Sequence, residues 1–362
     1  MGTSIGWIVG VVALALLGVL VVFWTTAFRP QAVEDVVIHC ADATLESLKP
    51  GQPIKVMTYN VQYFASKNYV FFYDLPDMSG PDWRPSREDI HATFHEVARV
   101  IVDESPDFVL LQEVDHGSRR TYHEDQLQSL LSLLPNEYTC HTSTYYWKAK
   151  FVPHPRIWGS VGVKLAVITK HRPTHVTRYA LPTLPINPII RIFAGGRAVL
   201  EARFPVAGGR ELVVLNTHLD AFVLGTDVMQ RQVSFLDEHL QGLDKGQTQW
   251  VLGGDLNLLP VGQYEKLSPD QQSYYNPQTE MQLLYDHFAV IPDPAALSGS
   301  KDHDWFTYFA NDPSIGKPDR TLDYLIHSHN LSLAEAKVRQ SDTQTISDHF
   351  PVVARFVLSA ES

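Results

Sequence analysis

Asn60, Glu113, His218, Asp255, Asn257, Asp323, Asp348 and His349 share one feature of placement. Each lies in or just beyond a short apolar run. Asn60 ends IKVMTYN, Glu113 follows LLQ, and His218 follows VVLNT. Asp255 and Asn257 follow VLGG, Asp323 lies in RTLDYLI, and Asp348–His349 precede PVVA. Polar side chains at the exits of apolar strands can converge on one rim of a sheet. Carboxylate and amide oxygens gathered there suit a hard cation, Mg²⁺ or Mn²⁺. Imidazoles beside them can give or take protons near neutral pH. Taken singly, each residue has a plainer use. Asn60 could close a strand through a side-chain turn, Glu113 could be a surface charge, and His218 a satisfied core imidazole. A turn after Gly253–Gly254 would equally explain Asp255 and Asn257. Those readings must then account for every one of these residues at strand exits, which they do poorly. Asp220, two residues past His218, is either a site carboxylate or a turn residue.

The elements that would hold this set are mostly strands. Apolar, β-like runs occur at 54–60, 107–113, 164–170, 198–204, 211–218, 249–257, 321–328 and 351–358, as buried strands should look. Ile90, Phe94, Val97, Ala98 and Ile101 fall on one face of a helix over Glu88–Glu104. Ser86 is its expected N-cap, with Asp89 completing an approximate capping box. Further helices are expected at Asp227–Leu240 and near Asp125–Leu133. Strands and helices mix without strict alternation, which predicts packed sheets with helices outside, not a Rossmann fold or TIM barrel. Tyr69–Pro85, Thr142–Ser160 and Pro260–Gln278 read as long loops, the first two rich in aromatics.

At 362 residues and 44% hydrophobic content, the chain can bury a large core. Its formal net charge of −11 argues against a duplex-DNA binder, whose affinity rests on neutralising phosphates. Cys40 and Cys140 form no spaced cluster of zinc type. They either pair or remain free thiols. Residues Ile5 to Phe28 carry no charge, and as a helix they would extend roughly 36 Å, past the ~30 Å of a bilayer core. No basic residue precedes the run and no small-x-small cleavage site follows it, so an uncleaved anchor is favoured over a signal peptide. Gly6 stands where the myristoylation pattern needs Ser or Thr. The expected organisation is an anchor at 1–29, a stalk at 30–53 and one globular domain at 54–362. Arg29 weakly favours its own side as cytoplasmic, leaving the side of the membrane open. Nothing in the sequence fixes an oligomeric state.

The ordered set TYNVQYF, LLQEVD, LNTHLDAF, GGDLNLLP, TLDYLI and ISDHFPV resembles the endonuclease/exonuclease/phosphatase superfamily, over about 54–358. That superfamily includes DNase I-like nucleases, neutral sphingomyelinases and inositol-polyphosphate phosphatases. The chain is also similar to the phosphodiesterase-like domain of eukaryotic GPI-anchor remodelling proteins. The resemblance implies an α/β fold, a four-layer sandwich of two mixed β-sheets flanked by helices. It implies Glu113 as principal Mg²⁺ ligand, with Asn60 and Asp348 near it. It assigns Asp255 and Asn257 to the attacking water and a phosphate oxygen. His349, oriented by Asp323, would act on the phosphate or as base. His218 would stabilise the developing charge or protonate the leaving oxygen. The implied activity is phosphodiester hydrolysis. The anchor, acidic balance and aromatic loops favour a lipid-linked or membrane-associated substrate. A nuclease using Lys148, Lys150, Arg156, Lys164 and Lys170 as a basic groove is the first alternative. A non-catalytic binding module on the same fold is the second.

Overall fold

Strands of both orientations build two seven-stranded sheets in the computed structural model of the chain, which describes residues 7–14, 17–18, 21, 27–41, 46–75, 77–191, 193–221 and 223–359. In chain order the strands are β1 (Val33–Asp35), β2 (His39–Cys40), β3 (Pro53–Asn60), β4 (Phe108–Asp115), β5 (Cys140–Val152), β6 (Gly159–Thr169) and β7 (His175–Ala180). They continue as β8 (Ala198–Val206), β9 (Arg210–His218), β10 (Gln249–Asp255), β11 (Ala289–Ile291), β12 (Asp323–His327), β13 (Ser332–Val338) and β14 (Val352–Val357). The longer helices are α1 (Arg87–Glu104), α2 (Gln126–Leu131), α3 (Val228–Lys245) and α4 (Met281–His287). One sheet runs β1-β7-β8-β9-β10-β12-β11 and the other β13-β14-β3-β4-β6-β5-β2. Within each, one central pair is parallel, β9 with β10 and β3 with β4, and the remaining pairs are antiparallel.

The inner faces of the sheets meet in one core, where Val56, Leu110 and Val167 pack with Leu200, Val214 and Leu325. On the outer face of the second sheet, Met57, Val109 and Ile168 join Phe94 and Val97 of α1. On the outer face of the first, Val213, Leu215 and Leu252 join Val233 and Leu236 of α3. The central strands are therefore covered on both faces, which is why they read as continuous apolar runs and not as alternation. Gly253 lets the sheets come this close. A Cβ there would sit 2.7 Å from Leu110 Cδ1 and 2.9 Å from Leu325 Cδ2. Beneath the rim a polar tie crosses the core. Gln112 Nε2 donates to Asn216 Oδ1 (2.7 Å) and Thr58 Oγ1 (3.0 Å), and Asn216 Nδ2 donates to Leu111 O and Ala166 O.

Ser86 caps α1 as expected, its Oγ accepting from Asp89 N at 3.0 Å. The capping box is not completed, because Ser86 N donates to Tyr69 Oη instead. The segment expected as a stalk carries structure of the domain itself. β1 pairs with β7, β2 pairs with β5, and Leu48 is buried beside Val206. Cys40 and Cys140 form a disulfide across the β2–β5 pair. Thr142–Ser160, expected as a loop, is mostly strand. Burial alternates along the first half of β5, with Thr142, Thr144 and Tyr146 buried and Ser143, Tyr145 and Trp147 half-buried, and this mixture of polar and aromatic residues on both faces conceals the strand in the composition. Residues 7–14 are helical and exposed. Among the described residues no helix is long and apolar enough to cross a membrane. Much of the expected 5–28 span lies outside the described residues.

Candidate active site

Hydrogen-bond register assembles half of the site. Asp255, the last residue of β10, is paired with His218 of β9 on one side and Asp323 of β12 on the other. Residues side by side in a sheet project to the same face, so the three form one row. Asn60, at the parallel end of β3, reaches across from the second sheet, its Nδ2 donating to Asp255 Oδ2 at 3.0 Å. Ser347 Oγ donates to the Asn60 carbonyl (2.9 Å) and accepts from His349 N (3.2 Å), which fastens the Asp348–His349 turn to the end of β3.

Two residues reach the site through left-handed backbone. Glu113 has φ 59° and Asn257 φ 52°, conformations that cost of order 1–3 kcal/mol outside glycine and gather at functional sites. The β4–β6 pairing skips between Leu111 and Val114, so Glu113 sits in a bulge that turns it out of the strand's alternation. Glu113, His218, Asp255, Asn257, Asp348 and His349 all line a cavity of about 510 Å³. Asn60 and Asp323 stand behind this wall and hold Asp255 and His349. The sequence-derived residues thus come together at one place. All three loop regions singled out in the sequence line the same cavity, through Phe72 and Trp83, Trp147 and Ile157, and Tyr274 and Tyr275.

His349 Nδ1 lies 2.7 Å from Asp323 Oδ2, and its Nε2 lies 3.6 Å from Asp255 Oδ2. Burial alone would favour the neutral ring, but the charges of Asp323, Asp255 and Asp348 outweigh it and hold the imidazole protonated, well above its ordinary pKa. Protonated, it would present a positive charge and an N–H to the cavity. His218 is the opposite case. Burial, then the positive charges of Arg197 and His349, push its pKa well below the ordinary value and keep it neutral. Its Nε2 is 3.1 Å from Asn257 Nδ2 and 3.3 Å from Asp255 Oδ2, and its Nδ1 is 3.3 Å from Tyr146 Oη. Burial also raises the Asp255 carboxyl above the usual range, only partly offset by the His349 charge.

Glu113 is raised to about 7, first by burial and then by the charge of Asp348. Asp74, on the loop after β3, lines the same wall and is raised to about 7 for the same two reasons. Acidic groups crowded without enough positive charge beside them are what a divalent cation would relieve, and the oxygen donors fit a hard one. Asn60 fits less well as a ligand, since its amide oxygen already accepts from Gln62 N at 3.0 Å. Among the described residues, the histidine and acidic side chains close enough to share a metal ion are Asp255, Asp323 and His349, with ligand atoms within 4.8 Å of one another. Glu113 and Asp348 line the cavity but fall outside that cluster, and His349 could ligate an ion only after losing its proton.

Sequence reasoning missed Asp74, Tyr146 and Arg197. Arg197 was legible in principle, because it precedes β8, whose antiparallel partner β9 ends at His218. The nuclease alternative would draw a basic groove from Lys148, Lys150, Arg156, Lys164 and Lys170. Lys164 is buried, Lys170 is paired with Glu137 at 2.8 Å, and of the five residues proposed for it only Arg156 lines the cavity.

A family profile described as Endonuclease/Exonuclease/phosphatase family matches residues 57–349. No curated protein matches the chain. Among solved structures, the chain is similar to an endonuclease/exonuclease/phosphatase from Beutenbergia cavernae, with 23% identity, 85% of this chain and 72% of that one covered, and a TM-score of 0.58. It is similar to the human Nocturnin catalytic domain solved with a bound sulfate anion, at 17% identity, 89% and 96% coverage and a TM-score of 0.52. A family protein from Leptotrichia buccalis is similar at 16% identity, 83% and 98% coverage and a TM-score of 0.52. These likenesses establish the shared two-sheet, DNase I-like fold.

Proposed function

The chain belongs to the endonuclease/exonuclease/phosphatase family, and from that premise we propose that it is a Mg²⁺- or Mn²⁺-dependent phosphodiesterase acting on a lipid-linked or membrane-associated phosphate ester. The observation that carries this reading is the Asp323–His349–Asp255 arrangement opening into a cavity that Glu113, Asp348 and Asp74 also line. Glu113 and Asp348 would hold the cation. Bound there, it would neutralise phosphoryl oxygens as negative charge develops. Asp255, with its raised proton affinity, is suited to take a proton from the attacking water. Asn60 and Asn257 fix its two oxygens, the first through Oδ2 and the second through its backbone N–H on Oδ1 at 2.9 Å. Protonated His349 presents positive charge and an N–H to the phosphoryl group, held in orientation by Asp323. Neutral His218 orders Asn257 and Asp255.

The substrate class rests on three supports. The cavity wall carries Phe72, Trp83, Trp147, Tyr274 and Tyr275, the sequence from Ile5 to Phe28 is apolar, and the formal net charge is −11. The tether itself is part of the proposal. The disulfide supports an oxidising compartment for the domain, against the weak pull of Arg29. The test is an activity panel on the full chain with Mg²⁺, comparing bis-p-nitrophenyl phosphate, sphingomyelin and other phospholipids in vesicles, and plasmid DNA. We expect turnover of the generic diester and of a vesicle lipid, abolished by EDTA. Full activity in EDTA, or plasmid nicking as the preferred reaction, would refute it.

A further inference from the structure

We propose that Arg197, held by Asp220, forms an oxyanion subsite of the cavity that grips a non-bridging oxygen of a phosphate ester. The assignment rests on the reading of the cavity as a phosphate-ester site. Arg197 immediately precedes β8, and the β8–β9 register pairs Val199 with Thr217. The start of β8 therefore returns to the rim where β9 delivers His218. The Arg197 side chain is mostly enclosed, 16% exposed, and lines the cavity beside Tyr146, whose ring centroid is 5.1 Å from its Cζ.

The way it is held is specific. Arg197 Nε donates to Asp220 Oδ1 at 2.9 Å. Asp220 is itself pinned to α3, its Oδ2 accepting from Gln232 Nε2 (2.9 Å) and its N–H donating to Gln232 Oε1 (3.0 Å). One edge of the guanidinium is thus fixed by a carboxylate that cannot swing away. Its two terminal nitrogens have no hydrogen-bond partner among the described residues. Two other enclosed arginines of the cavity wall are engaged differently. Arg120 sends Nε and Nη2 to Asp115, and Arg320 binds Asp319, Gln271 and Tyr275. A guanidinium is always charged and presents paired N–H groups matched to two phosphate oxygens. An enclosed, permanently charged fork with its terminal donors unpaired, beside the row that carries Asp255, is suited to an oxyanion. Asp220, which the sequence left between turn and site, then has the role of orienting Arg197.

The experiment separates binding from turnover. Inorganic sulfate is titrated calorimetrically into the full chain in EDTA, as wild type, R197A, R197Q and D220N, with thermal unfolding as the folding control. Wild type should bind sulfate. R197A and R197Q should bind it about ten- to a hundredfold more weakly, the range for hydrogen bonds to a charged group. D220N should fall between. In a parallel assay on bis-p-nitrophenyl phosphate, millimolar guanidinium ion should restore part of the lost turnover of R197A and none in wild type. Sulfate binding that is absent from wild type, or equal in wild type and both Arg197 variants, overturns the subsite. Lost turnover with no guanidinium rescue also overturns it, in favour of a structural role. If wild type hydrolyses no phosphate ester, the hydrolase reading fails, and the sulfate titration alone decides Arg197.

Discussion

Three carboxylates surround His349 closely enough to reverse the effect of burial on its protonation. In the proposed mechanism the ring and Asp255, 3.6 Å apart, work on the same phosphoryl group. H349A and D255A should each slow turnover by about a hundred- to a thousandfold, the loss of one transition-state contact. The double variant should be little slower than the slower single. Initial rates on the generic diester, with circular dichroism for folding, check this, and wild-type kcat in H349A would place the chemistry elsewhere. Glu113, proposed to hold the cation, should behave differently. Its carboxyl, raised to about 7 by burial and then by Asp348, must lose its proton to bind. Below that pH the proton competes. Apparent Mg²⁺ affinity should therefore climb about tenfold per pH unit up to neutrality and level off above it. E113Q should lose this slope and recover part of its turnover at high Mg²⁺. An unchanged slope in E113Q would mean that another carboxyl raised to about 7, such as Asp74, sets it. The types and order of these residues were readable in the sequence. Their protonation was not, because it depends on neighbours 195, 26 and 39 positions away, as in Asn60–Asp255, Asp323–His349 and His218–Asn257.

At the scale of elements, the row that carries the site depends on two sheets meeting without a side chain at Gly253. A Cβ there would crowd Leu110 and Leu325 from both sides and lie 3.0 Å from Thr58 Cβ. G253A should therefore destabilise the protein by about 1–3 kcal/mol, the usual penalty for overpacking. Because β10 would shift against β3, activity should fall with stability. A denaturant midpoint equal to wild type would mean the sheets separate more easily than this packing suggests. The same burial explains which strands could be read. β3, β4, β9 and β10 are covered on both faces and stand out as apolar runs. β13 is an edge strand with most residues exposed, β11 has three residues and β2 two, so none offers a hydrophobic signal. β7 and the first half of β5 mix polar with apolar residues, so neither gives a continuous apolar run. α1 was legible at nearly its true length because its apolar face and its Ser86 cap agree.

The whole molecule is closed at its N-terminal side by a covalent tie that the sequence left open. β2 is a two-residue strand at the edge of its sheet, and two paired positions are a weak hold. The Cys40–Cys140 disulfide fixes it to β5 across a separation of 100 residues. Linking positions so distant restricts the unfolded chain strongly, so a C40S/C140S variant should lose about 2–5 kcal/mol of stability. The site should be spared, since His218, Asp255 and His349 are positioned by β9, β10 and the turn before β14. The expected pattern is a lower urea midpoint with kcat on the generic diester within about twofold of wild type, because the lost constraint acts on the unfolded state. The bond also bears on where the domain works. Disulfides persist in oxidising compartments and are rare in the reducing cytosol. Protein trapped with acid and alkylated before extraction should show both cysteines protected from a maleimide until it is reduced. Two freely reactive thiols in that sample would place the domain on the cytosolic side, where Arg29 points, and would remove the support the disulfide gives to an extracytoplasmic lipid substrate.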